Sequence, residues 1–138
     1  MEASVNEPTR AADASDVPPI DRSSLVERCM GDASFACLIL GKFQSRAAEM
    51  VAAVDRAATA GDAAAAARAA HALKGAAANL SAEAVRAAAG AIEAAGHAGD
   101  AAAIAAMVAP LRASMDRCLA YAPRLVAELQ RPAAPVAA

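Results

Sequence analysis

The residues in this chain best placed to do chemistry are His71, Lys74 and Gly75, within the stretch 62–80, which reads DAAAAARAAHALKGAAANL. Read as a helix, Ala66, Ala69, Ala70, Leu73, Ala76, Ala77 and Leu80 recur at steps of three and four, the spacing of a buried stripe. His71 stands two positions from Leu73, about 200° around the helix, and so points to the far side. Lys74 and Gly75 are its i+3 and i+4 neighbours and share its face. At neutral pH a free imidazole, with a pKa of about 6.5, is mostly unprotonated, and its outward nitrogen is a nucleophile. A carboxylate that accepts a hydrogen bond from the other nitrogen fixes the tautomer. Attack on a phosphoryl group requires in-line approach and somewhere for its oxygens to go. Lys74 can set an ammonium beside those oxygens, and Gly75 leaves room one turn beyond the ring. A glycine inside a helix costs about 1 kcal/mol relative to alanine, so its presence asks for a reason.

The neighbours of this trio read less sharply. Arg68 lies on the same face one turn earlier, where docking and plain solvation are both open. By spacing, Glu93 has His97, four residues on, as an available partner. His97 itself reads as a helix-end residue, favourable against the dipole. Gly41-Lys42-Phe43 lacks the upstream glycine and the following Ser or Thr of a nucleotide-binding loop, so no ATP site or autokinase activity is expected. Two histidines far apart, without Glu-x-x-His pairs, argue against a di-metal bundle. No metal site is expected.

These groups must be held by helices. The hydrophobic fraction is 58%, much of it alanine, and only 2% is aromatic. Alanine is the best helix former and the smallest core residue, so closely spaced helices follow. Residues 1–19 read as a flexible arm with three prolines. A short helix is expected from Ile20 or Asp21, with Leu25, Val26, Cys29 and Met30 inward and Gly31 as its stop. The second helix is expected over 34–60, its stripe made by Phe35, Leu38, Ile39, Phe43, Met50, Val54 and Ala57. Gly61 closes it and Asp62 caps the helix of His71, which ends near Asn79. Ser81 is read as the cap of a fourth helix over 82–96 with Val85, Ala88, Ala89, Ile92 and Ala95 inward. A Gly-His-Ala-Gly turn follows, and Asp100 caps a fifth helix bearing Ile104, Met107, Val108, Leu111, Met115, Cys118 and Leu119. Pro110 predicts a kink near 106–110, and Pro123 a kink or restart before Leu125. Residues 132–138 read as a disordered Pro/Ala tail. Short connections make sequential helices antiparallel. The expected fold is all-α: an up-down-up-down four-helix bundle over residues 20–131, with a short extra N-terminal helix.

The 138 residues suffice for one core, and the formal net charge is −2. No basic patch appears, so nucleic acid is not expected as a partner. No secretory leader and no bilayer-spanning stretch is visible, and Cys29, Cys37 and Cys118 read as reduced, mostly buried thiols, which together place the chain in the cytoplasm.

The run His71-Ala-Leu-Lys74-Gly75, followed by Asn79-Leu80, resembles the H-x-L-K-G motif of histidine phosphotransfer (HPt) domains. Phe43 falls where that family places an aromatic in its second helix. Gly61-Asp62 matches its turn before the active helix, and Ile92-Glu93 matches an apolar–acidic pair in the next one. The resemblance spans roughly residues 20–130. It implies that His71 accepts a phosphoryl group on Nε2 from an aspartyl phosphate of a response-regulator receiver domain and passes it to another receiver. By the same resemblance, Lys74 steadies the phosphoryl oxygens, Gly75 gives clearance, and Glu93 holds Nδ1. It implies no cofactor in this chain, with Mg²⁺ on the receiver. Receivers are expected to dock over the first three helices around His71, with Arg68, Ala67 and Ala78 as contacts, and one bundle with a polar outer face is expected to be a monomer. A hybrid histidine kinase is a further expected partner. Where the family commonly has Gly, this chain has Ser81, and a local change in that turn is expected. Two alternatives remain: a helical scaffold with an idle histidine, and the detached phospho-accepting domain of a larger kinase. Met1 and the polar arm favour a free-standing protein over the latter.

Overall fold

A computed structural model describes residues 17–131. The expected arm over 1–19 falls mostly, and the tail over 132–138 entirely, outside the described residues. Within them the chain is all-helical: α1 Arg22–Arg28, α2 Ala33–Thr59, α3 Ala63–Asn79, α4 Glu83–His97 and α5 Ala101–Gln130. The main helix contacts are α2 with α3, α3 with α4, α4 with α5, and α5 back to α2, which closes a four-membered ring. Three contacts set the directions. Cys37 near the start of α2 meets the carbonyl of Val126 near the end of α5. The backbone of Ala63, which opens α3, lies against Gly96 near the end of α4. Asp55, late in α2, pairs with Arg112 in the first half of α5 at 2.8 Å. Neighbours therefore run antiparallel, as three-residue connections require.

Most helix starts have the same chemistry. The carboxylates of Asp21, Asp32, Asp62 and Asp100 accept from the N–H groups of Ser24, Phe35, Ala65 and Ala103 at 3.0–3.1 Å, satisfying donors the helix cannot. α4 is the exception. Its N-cap is Ala82, which has no side-chain cap. Ser81 was expected in that role, but it has φ 58° and belongs to the end of α3. Ala82 N–H reaches back to the carbonyl of Ala77; the helix ends at Asn79, as expected, with Leu80 as its C-cap. Gly61 and Gly99 occupy the equivalent left-handed positions after α2 and α4. A left-handed site explains why glycine would be common at position 81. The Ser81 hydroxyl instead accepts from Arg28 Nε at 3.3 Å, and its carbonyl accepts from Asp21 N–H at 3.0 Å, which ties α1 across this end of the bundle.

The core follows the alanine content. Ala36, Ala47, Ala66, Ala70, Ala77, Ala89 and Ala122 are buried among Leu40, Val54, Leu73, Leu80, Ile92, Leu111 and Leu125. The expected inner stripe of α2 is rotated at its start. Phe43 and Val54 are buried, but Phe35 is 47% exposed and Leu38 59% exposed. Ala36, Leu40 and Ala47 point inward instead, and the two alanines suit an interior of close helices. Met30, expected inside α1, has φ 57° and is 93% exposed: the left-handed turn carries it away from the helix face. α5 continues unbroken through Pro110 and Pro123, both exposed, so water can satisfy the carbonyls that each proline leaves free.

Candidate functional site

α3 places His71 on the surface, with its side chain 70% exposed. The same turn-by-turn spacing buries Leu73, Ala70 and Ala77 beneath it. The ring is oriented from α4. His71 Nδ1 lies 2.8 Å from Glu93 Oε2, and Lys74 Nζ lies 2.6 Å from Glu93 Oε1. The Glu93 side chain is only 14% exposed, wedged between the two helices. As the carboxylate is an acceptor at both oxygens, the Nδ1 of a neutral ring donates and Nε2 is left with its lone pair facing solvent. The Lys74 ammonium, and after it the His71 ring, hold the Glu93 carboxyl below the usual range against the opposing effect of desolvation.

This contact depends on α3 and α4 lying close together. A Cβ on Gly96 would stand 2.7 Å from the Ala63 carbonyl oxygen and 2.7 Å from Ala67 Cβ. Gly96 lies inside the helix, at the end of the expected span, and the helix runs one residue further, through His97. Its role in bringing α4 against α3 had no signature in the sequence beyond an unexplained glycine. Gly90 likewise borders the stem of Lys74, whose Cδ is 3.5 Å from a hypothetical Cβ there.

Gly75 differs from both. Nothing in the chain lies within 4 Å of a Cβ built on it. Internal packing therefore gives no reason for glycine, and any reason must come from outside the molecule. Arg68 is exposed on the same ridge and Ala78 is half-buried beside it. Ala67, expected as a docking contact, is 4% exposed and packs on α4, so it is not available to a partner. The pairing of Glu93 with His97 is also present, at 3.7 Å from Nε2 to Oε2, so the carboxylate serves both histidines.

Beside the ridge, α2 and α3 leave a groove lined by Ile39, Phe43, Met50 and Leu80, with Lys42 and Arg46 on it. The exposed Phe35 and Leu38 belong to the same helix, α2. Phe35 and Leu38, expected in the core, are surface groups here. Among the described residues no group of three or more His, Cys, Asp or Glu side chains is arranged to hold a metal ion, and no helix is long and apolar enough to cross a membrane. Cys29, Cys37 and Cys118 are unpaired, and burial pushes the Cys118 thiol up to about 11.

Among known families, the family model described as Hpt domain matches residues 38–131, from within α2 to just past α5. No curated protein and no solved structure matches the chain.

Proposed function

The chain belongs to the Hpt domain family, whose members take part in two-component phosphorelays as phosphoryl carriers, and on that premise we propose that His71 is the residue that carries the phosphoryl group. His71 Nε2 attacks the phosphorus of an aspartyl phosphate on a receiver domain. The bond from phosphorus to the aspartyl oxygen breaks, the carboxylate leaves, and the ring becomes a phosphohistidine. Transfer to an aspartate of another receiver runs the same step in reverse. The observation that carries this reading is the Glu93 carboxylate at 2.8 Å from Nδ1 of an exposed ring. It selects the tautomer with Nε2 unprotonated, and it can stabilise the positive charge that develops on the imidazole during attack.

Lys74 rests on Glu93, one turn from the ring. In the phosphorylated state its ammonium turns toward the phosphoryl oxygens, which are then the stronger anion. Gly75 keeps the approach open. The Mg²⁺ and the acidic groups that activate the aspartate belong to the receiver, and the chain supplies a nucleophile and a docking face. Receivers dock on α1, α2 and α3, where Met30, Phe35 and Leu38 are exposed and where α2 and α3 form the groove bearing Lys42 and Arg46. Arg68 and Ala78 flank the ring as contacts. The protein acts as a monomer in the cytoplasm, where receivers and histidine kinases present their phosphoryl groups.

The test mixes a phosphorylated receiver with the chain. Label should appear on the chain, resist alkali, be lost in acid, and be absent from His71→Gln. No label from any receiver of the same cell overturns the carrier reading in favour of a scaffold. Chemical-shift mapping that put the receiver on α5 would overturn the docking face.

A further inference from the structure

Glu93 holds more cationic neighbours than orientation of one ring needs. Its Oε1 is taken by Lys74, and its Oε2 is faced by two histidines, His71 Nδ1 at 2.8 Å and His97 Nε2 at 3.7 Å. We propose that His97 is a positioning residue for His71: when protonated, it draws Glu93 Oε2 toward itself and slackens the hold on the Nδ1–H of His71.

The geometry carries the argument. His97 lies four residues after Glu93 on α4, the orientation in which an acidic residue and a following cation meet on a helix face. At 3.7 Å the two are within ion-pair reach but beyond hydrogen-bond distance, so the contact closes only when the ring gains charge. The ring sits in the last turn of α4, where the helix end also favours a cation. Both histidine side chains are about 70% exposed, so each exchanges protons freely with solvent while the carboxylate between them is not free to turn away. Glu93 Oε1 is already committed to Lys74, so one oxygen must satisfy both rings.

The other charged groups near this end are accounted for. From α3 the carboxylate is faced by His71 and Lys74, and Arg68 stands exposed one turn before His71. Asp62 and Asp100 cap α3 and α5, with their carboxylates engaged by the N–H groups of Ala65 and Ala103. Neither is paired with His97. Neutral His97 leaves Oε2 to His71, and the nucleophile is poised. Protonated His97 shares that oxygen, and the bare-Nε2 tautomer loses its preference.

The effect on phosphoryl acceptance rests on the carrier reading above, whereas the coupling between the rings does not. The test therefore reads both. The fraction of His71 in the Nδ1–H tautomer is measured by nitrogen NMR at about pH 8 in the parent chain, H97Q and H97K, and phosphoryl uptake from phosphoramidate is timed in the same samples. H97K keeps a cation four residues from Glu93 at every pH. It should lower the Nδ1–H fraction and slow uptake about two- to threefold, a size typical of an exposed charge. H97Q should match the parent at about pH 8, which excludes a general structural role for the side chain. A His71 tautomer balance identical in all three chains overturns the proposal. A shifted balance with no uptake by any chain, from phosphoramidate or from a phosphorylated receiver, supports the coupling and overturns the carrier reading instead.

Discussion

Replacing Gly75 with alanine should make the protein more stable and worse at its task. The stability half follows from the fold. Position 75 is an exposed helix interior, and no atom of the chain lies within 4 Å of the added methyl group. The substitution removes the backbone-entropy penalty of glycine and introduces no clash, a gain of about 1 kcal/mol. For a domain of this size that raises the thermal midpoint by roughly 4 °C. The functional half follows from the partner. If the space over Gly75 is filled by a receiver at the moment of transfer, an extra methyl there costs about 1–3 kcal/mol, or roughly 5- to 150-fold in rate. Calorimetry and a rapid-quench transfer assay on the same preparation read the two effects. A variant that melts lower would show that Gly75 has an internal role. A variant that melts higher but transfers at the parent rate would refute the clearance argument.

The other predictions concern the frame around the ring. Ser81→Gly relieves a left-handed residue and should stabilise the fold by about 0.5–1 kcal/mol in a urea titration, less whatever the exposed Arg28 contact contributes. Gly96→Ala drives a methyl into the Ala63 carbonyl and Ala67, so it should destabilise by about 1–3 kcal/mol and loosen Glu93 from His71, seen as a lower melting point together with slower transfer. The Lys74 ammonium, and after it the His71 ring, hold the folded Glu93 carboxyl below the ordinary carboxylate range, so its contribution to stability is complete above that range and is lost as pH falls through the lower folded pKa. Glu93→Gln should flatten the acid limb of the stability–pH curve in that window, and a limb unchanged by the substitution would contradict the carboxylate's assigned contacts.

Much of this arrangement is legible in the residues because local rules and tertiary demands agree. Asp62 and Asp100 cap helices where the sequence places them, and Leu73 with its alanines turns His71 outward. The misreadings share a cause. Periodicity gives a stripe but not its rotation when both large and small apolar residues recur, and Phe35 and Leu38 were assigned inward although Ala36 and Leu40 take that position. Ser81 is a sound N-cap by type, and only the backbone reveals that it completes the preceding helix. Gly96 and Ala67 owe their roles to the distance between two helices, which no single-helix pattern contains. The Glu93 pairing was ambiguous by spacing because both histidines lie within its reach.

The most direct test of the central claim is to phosphorylate the chain and identify the atom that bears phosphorus. Phosphorus–nitrogen coupling in a nitrogen-15-labelled sample distinguishes the two ring nitrogens of His71 from those of His97. The Glu93 contact predicts phosphorus on Nε2 of His71, with Nδ1 still protonated and hydrogen-bonded. Phosphorus on Nδ1, on His97 or on no histidine would contradict the account.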